Sequence, residues 1–161
     1  MTARPDSSAS SQHQGLVRVC PACGRKNRLL FSRLDVPARC GACHATLAPP
    51  AEPLAVDRGD ELAAVLSQSA LPVLVDFWAP WCGPCHSMAS EIQTVAARQA
   101  GRLLVVKCNT DVDPAVGAAH RIASLPTLAL FQEGRELARS SGARPAAAID
   151  GFVQQALGRA A

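Results

Sequence analysis

Six of the seven cysteines in this 161-residue chain fall into three Cys-x-x-Cys pairs, Cys20/Cys23, Cys40/Cys43 and Cys82/Cys85, and Cys108 stands alone. Two thiols at that spacing reach one metal ion or each other, so the pattern points to metal binding, redox chemistry or both. The compartment bears on the choice. The first fourteen residues are rich in Ser, Ala and Gln and lack the apolar stretch of roughly 7–15 residues that a secretory signal needs. A transit peptide is disfavoured by Arg4, offset by Asp6, and by the absence of an apolar face. No apolar run approaches the roughly 18 residues that span a bilayer. The expectation is a cytoplasmic protein with no membrane partner, whose clustered cysteines are metal ligands or redox centres rather than a disulfide scaffold.

The chain divides into segments. Residues 1–15 are small and polar and predict a disordered tail. Residues 16–48 carry four cysteines and form a compact unit, and residues 49–53 predict a stiff Pro-rich linker. Residues 54–161 alternate strand and helix patterns. A helix is expected from Asp57 to Ser69, with Asp57 as its cap. Val73–Trp78 is an apolar run broken only by Asp76, which suits a strand buried on both faces. Met88, Ile92, Val95 and Ala96 repeat at helical spacing from a start near Cys82. A second buried strand over Leu103–Lys107 and a short helix over Pro114–His120 come next. Two strands flank a Glu133-Gly134-Arg135 turn, and a last helix follows Pro145 with Ile149, Phe152, Val153, Ala156 and Leu157 on one face. The implied fold is an α/β sheet covered by helices.

Charge follows the same division. The sequence carries +3 in total, with +5 in residues 16–48 and −2 in residues 51–161. Only the small unit has a surface that would attract polyanions.

The third pair has a specific setting. Cys82 follows a buried strand and opens a helix, which places its sulfur near free N–H groups and the positive end of the helix dipole. A thiol there ionises more readily, and thiolate is the attacking species in disulfide exchange. Cys85 lies one helical turn on, at a separation that fits a disulfide. Pro84 is tolerated in a first turn. The predicted chemistry is thiol–disulfide exchange, with Cys82 attacking and Cys85 resolving the mixed disulfide. A structural metal site at this pair would need a second pair nearby, and residues 54–161 contain none.

The stretch from Asp76 through Trp78, Trp81, Cys82, Gly83 and Pro84 to Cys85 resembles the signature of the thioredoxin family. Ser124-Leu125-Pro126-Thr127 is similar to that family's cis-proline loop, Lys107 matches a lysine on its central strand, and Gly134 and Gly142 match its C-terminal glycines. The resemblance covers residues 54–161 and implies a thioredoxin-like mixed sheet and a protein-disulfide reductase. It implies that Pro126 is cis and faces the disulfide, and that its loop, with Leu125, offers backbone groups to substrate. It also implies that Asp76 and Lys107 manage the proton of Cys85; a buried Asp has a raised pKa and serves as a base near neutrality. Trp81, Gly83 and Pro84 then form substrate-facing surface. The implied partners are disulfide-containing proteins and a thioredoxin reductase using NADPH and flavin, and the family default is a monomer. The chain has no dinucleotide fingerprint, so no bound organic cofactor is expected. Ser90 stands where the family usually has a kink-forming proline, Leu125 replaces a more usual Ile, and His86 replaces a common Lys or Arg. The expected effects are a straighter helix, a mild packing change and greater pH sensitivity.

The N-terminal cysteines fit a different template. Cys20-Pro21-Ala22-Cys23, sixteen residues, then Cys40-Gly41-Ala42-Cys43 is the spacing of a four-thiolate zinc site, with one structural Zn²⁺ per chain. Disulfides, idle thiols, or His44 in place of Cys43 are the competing readings. A segment this short cannot build a self-sufficient core, so metal would supply most of its fold. The combination with residues 54–161 resembles the bacterial thioredoxin 2 group. Cys108 reads as a core thiol. Two other functions fit the same residues: a zinc-dependent oxidant sensor, and a nucleic-acid-binding zinc module fused to a redox domain. One aromatic residue in the unit, Phe31, argues against nucleic acid, which needs stacking platforms.

Overall fold

The structure, a computed structural model, describes residues 13–161. Most of the expected disordered tail lies outside the described residues, although Gly15 already begins the first strand. In the N-terminal unit, β1 (Gly15–Val19) pairs antiparallel with β2 (Lys26–Leu30). A single 3-10 turn at Phe31–Arg33 leads to the two-residue strands β3 (Ala38–Arg39) and β4 (Thr46–Leu47), also antiparallel. Each ribbon ends in one Cys-x-x-Cys pair.

The remaining strands form one mixed sheet in the order β5-β7-β6-β8-β9, where β5 is Leu54–Ala55, β6 Val73–Trp78, β7 Leu104–Asn109, β8 Thr127–Gln132 and β9 Arg135–Ser141. β5, β7 and β6 run parallel, while β8 and β9 are antiparallel to their neighbours. The helices are α1 (Gly59–Gln68), α2 (Gly83–Arg98), α3 (Pro114–Ala119) and α4 (Ala146–Ala160). This is the α/β sheet covered by helices that the alternation of patterns predicts, in the mixed, thioredoxin-like order that the resemblance implies.

Period-two alternation assigns each strand residue to a face. Leu74, Val105, Leu128 and Leu130 pack with Met88 and Ile92 of α2 and Ile149 and Val153 of α4. Val73, Val75, Phe77, Val106 and Cys108 pack on the other face with Leu62 and Val65 of α1 and Val116 of α3. Asp76 and Lys107, directly opposite in register, therefore belong to the α2 face. Phe77 and Cys108, the next pair, belong to the other.

Two local expectations are revised. Asp57 does not cap α1. Arg58 is the cap residue and makes no side-chain cap bond, the Asp57 carboxylate accepts from Asn109 N–H, and the first helical N–H, that of Gly59, is taken by Asp113 from the far side of the chain. The hairpin turn is shorter than expected. Glu133 and Gly134 alone form it, with φ of 52° and 77°, the two positive values that match the twist of the flanking strands, and Arg135 is already in β9. The Pro-rich linker makes contacts of its own. Arg18 donates to the Pro49 carbonyl, and the Pro49 ring lies against Gly101 after α2.

The N-terminal unit does not stand alone either. Leu29, Phe31, Leu34 and Leu47 belong to the same apolar cluster as α1 and the sheet, and Ala70 N–H donates to the Phe31 carbonyl at 3.0 Å. The unit thus has a source of order other than a metal, because part of its core is shared. The contacts at Ala70 and Gly101 follow the C-terminal ends of α1 and α2. The unit therefore sits at the end of the sheet opposite the start of α2.

Candidate functional site

β6 delivers the chain to the dithiol. After Trp78, a four-residue loop brings Cys82 to the cap position of α2, with Gly83 and Pro84 as the first helical residues. Pro84 lacks an N–H that would have no helical partner there anyway. The Cys82 sulfur accepts from the Cys85 N–H at 3.2 Å, so a backbone donor and the helix dipole act on the same atom. The two sulfurs are joined in a disulfide, with Cα atoms 5.3 Å apart. Both cysteines are buried, at 4% and 3% exposure, beside a Trp81 ring that is 71% exposed. Trp81 is held in place by its indole N–H, which donates to Asp111 at 3.2 Å. Reading the sequence did not single out Asp111; its place in the turn after β7 carries no signal of that contact. His86 approaches the Pro80 carbonyl through Nε2 at 2.6 Å and meets the Trp78 ring edge-on.

Asp76 is 1% exposed, and its Oδ1 has no hydrogen-bond partner among the described residues. Burial pushes its carboxyl up to about 6, against the weaker opposing pull of the Lys107 charge. The Lys107 ammonium lies over the Trp78 ring, 4.7 Å from its centre. The Leu125–Pro126 peptide is cis. β8 begins at Thr127, directly opposite Phe77, so this loop emerges at the same end of the sheet as the loop leading to Cys82. The Pro126 carbonyl is taken by Gly142 N–H, and Thr127 Oγ1 donates to Ser124. Gly142 has a φ of 91°, a value that favours glycine. Cys108 is fully buried on the opposite sheet face. Burial, then the charges of Asp57, Asp113 and Asp76, push its thiol up to about 12, which keeps it inert. α2 runs unbroken through Ser90, as expected without a proline there.

The other cysteines form a second centre. The sulfurs of Cys20, Cys23, Cys40 and Cys43 all lie within 4.8 Å of one another. Cys20 and Cys43 approach to 3.6 Å, as do Cys23 and Cys40. Four thiolates at about 2.3 Å from one tetrahedral ion would stand about 3.8 Å apart, so the cluster could hold a metal ion. Both turns share one backbone pattern. Gly24 and His44 N–H donate to the Cys20 and Cys40 carbonyls, and Cys20 and Cys40 N–H donate to Arg25 and Ala45. Gly24 has a φ of 77°, and His44, at the matching place, has 62°. That position explains His44 as a turn residue. Asn27, which the spacing gave no reason to notice, ties β2 to the second turn by accepting from Gly41 N–H and donating to the Cys40 sulfur. The backbone N–H groups of Cys43 and Ala42 bring the Cys40 thiol down to about 6, while at Cys23 the lowering by the Arg25 backbone is outweighed by the neighbouring Cys40 and Cys43 sulfurs, which carry that thiol up to about 11.

Comparison with known proteins places this geometry. The family model described as Thioredoxin matches residues 53–155. Thioredoxin C-3 of Corynebacterium nephridii is 38% identical over 142 residues, covering 88% of this chain and 96% of the relative. That stretch is longer than residues 53–161, so it extends into the four-cysteine unit. A mutant thioredoxin from Halobacterium salinarum superposes with a TM-score of 0.61 at 33% identity, covering 68% of this chain and 94% of that one. A chloroplastic thioredoxin z superposes with the same score at 32% identity, covering 66% and 96%.

Proposed function

This chain belongs to the thioredoxin family and is a thiol–disulfide oxidoreductase, and from that premise we propose that it reduces protein disulfides, with Cys82 attacking and Cys85 resolving. The observation that carries the reading is Cys82 at the cap of α2, its sulfur accepting the Cys85 N–H. The Cys82 thiolate attacks one sulfur of the substrate disulfide. A Cys82–substrate bond forms, the substrate S–S bond breaks, and the other substrate sulfur leaves as a thiolate that takes a proton from water. Asp76, ionised above about pH 6, accepts the Cys85 proton, with Lys107 balancing its charge. Cys85 then attacks the Cys82 sulfur, closing the Cys82–Cys85 disulfide and releasing the second substrate thiolate. Two electrons pass to the substrate, and the Cys82–Cys85 disulfide seen in the fold supports this pairing of the two sulfurs. A thioredoxin reductase drawing on NADPH and flavin restores the dithiol. Trp81, Gly83, Pro84, Leu125 and Pro126 form the surface against which the substrate strand lies.

Cys20, Cys23, Cys40 and Cys43 hold one structural Zn²⁺, which suits four thiolates and is redox-inert. The closeness of the sulfurs supports this, as do the N–H donors on Cys40. The alignment that reaches the four-cysteine unit supports a thioredoxin 2 type. We retain the division into a metal unit at 16–48, a linker at 49–53 and a redox domain at 54–161, in a cytoplasmic monomer. No helix among the described residues is long and apolar enough to cross a membrane. The sensor and nucleic-acid readings are not favoured.

The test is mixed-disulfide trapping on oxidised insulin. Cys85→Ser should accumulate a covalent adduct through Cys82, and Cys82→Ser should give none. An adduct from Cys82→Ser alone would reverse the roles.

A further inference from the structure

The N-terminal unit contains an open cavity of about 860 Å³ that neither the dithiol nor the four sulfurs use. β2, the loop from the 3-10 turn to β3, β4 and the start of the linker form its walls, and Gly101 lies at its edge. Its floor is formed by three buried leucines, Leu29, Leu34 and Leu47. Two aliphatic side chains at its lining remain in water, Leu30 at 39% exposure and Val36 at 43%. Arg28, Arg33 and Arg39 also line it, against one acid, Asp35. Among the described residues, no ion pair engages Arg33 or Arg39.

Apolar floor and cationic rim together select an occupant with aliphatic side chains and negative charge. Nucleic acid supplies the charge but wants a stacking surface, and no aromatic residue lines this cleft. A polypeptide supplies both. The rest of the chain sharpens the selection, because residues 51–161 carry −2 and repel the acidic segment that the N-terminal unit attracts, its six basic side chains against Asp35 leaving it net positive even with four thiolates around one Zn²⁺. Position matters as well. Gly101 lies past the far end of the sixteen-residue α2, and Cys82 caps its near end, so the cleft and the dithiol are about 24 Å apart.

We propose that this cleft docks an acidic segment of a protein partner, one carrying aliphatic side chains, independently of the dithiol.

The probe is a fluorescein-labelled peptide of alternating Glu and Leu, titrated with the full metal-loaded chain and followed by anisotropy. Binding should weaken at least tenfold between 20 and 300 mM salt, and at least tenfold in Arg33→Glu/Arg39→Glu, while insulin reduction stays within twofold. Leu30→Ser/Val36→Ser should also weaken binding, which keeps the proposal testable if the charge variant loses metal. A Lys–Leu peptide should not bind. Equal affinity of the Glu–Leu peptide for the wild type and both variants overturns the proposal. So does tighter binding of a labelled single-stranded DNA of the same length, which would assign the surface to nucleic acid.

Discussion

Asp76 shows a single residue acting against the stability of its own fold. Its carboxyl titrates near 4 in an unfolded chain and at about 6 here, so between those values the folded state holds the proton that the unfolded state has lost. Stability therefore falls as pH rises from about 4 to about 6, and the deficit persists above. Asp76→Asn removes it, at the cost of an amide in the same dry place. Chemical denaturation should show the variant equal to wild type near pH 4 and more stable at pH 8 by as much as about 3 kcal/mol. Turnover at pH 7.5 should fall on the order of 10²-fold, because the base we propose for the Cys85 proton is gone. At this scale the sequence was most readable where chemistry and burial coincide. Asp76 interrupts an apolar run, Cys82 follows it, and both stand where that pattern puts them. Asp111 and Asn27 were opaque, since their partners, Trp81 and Cys40, lie 30 and 13 residues away and no period links them.

Elements began and ended where local chemistry was sufficient, and shifted where a distant residue supplied the missing bond. The start of α2 followed from Cys82, Gly83 and Pro84, all within four residues. The start of α1 did not, because its first N–H is satisfied by Asp113, 54 residues onward. Asp57 had the right type for a cap but is occupied with Asn109 at the end of β7. Asp113→Ala should therefore lower unfolding free energy by about 1 kcal/mol, the usual cost of losing a cap, measured by urea denaturation. Asp57→Ala should leave the α1 cap bond intact, and hydrogen exchange at Gly59 separates the two variants.

The sequence foretold the whole molecule as two units on a stiff linker. Which surfaces the units press together could not be read, because shared burial of Phe31 and Leu47 with α1 has no signature in spacing. With the proposed metal bound, the four-cysteine unit would have two sources of order, that metal and its borrowed core. Removing the metal with a strong chelator from reduced protein should release one zinc per chain by elemental mass spectrometry. It should also lower hydrogen-exchange protection most around the two cysteine turns and least at Phe31 and Leu47, which the shared core still covers, while insulin reduction by the sheet domain stays within about twofold. Loss of both together would mean that the redox domain depends on the metal. The placement of the unit beyond the far end of α2 has one more consequence. An extended chain covers at most about 3.6 Å per residue, so a segment seated in the arginine-rimmed cleft needs at least about seven residues to reach Cys82 in a straight line, and more around the surface. The molecule thus acts as a calliper: a short acidic peptide with a neighbouring disulfide is held out of range, and a partner whose disulfide lies a domain's width from its acidic segment is presented to the dithiol without leaving its seat.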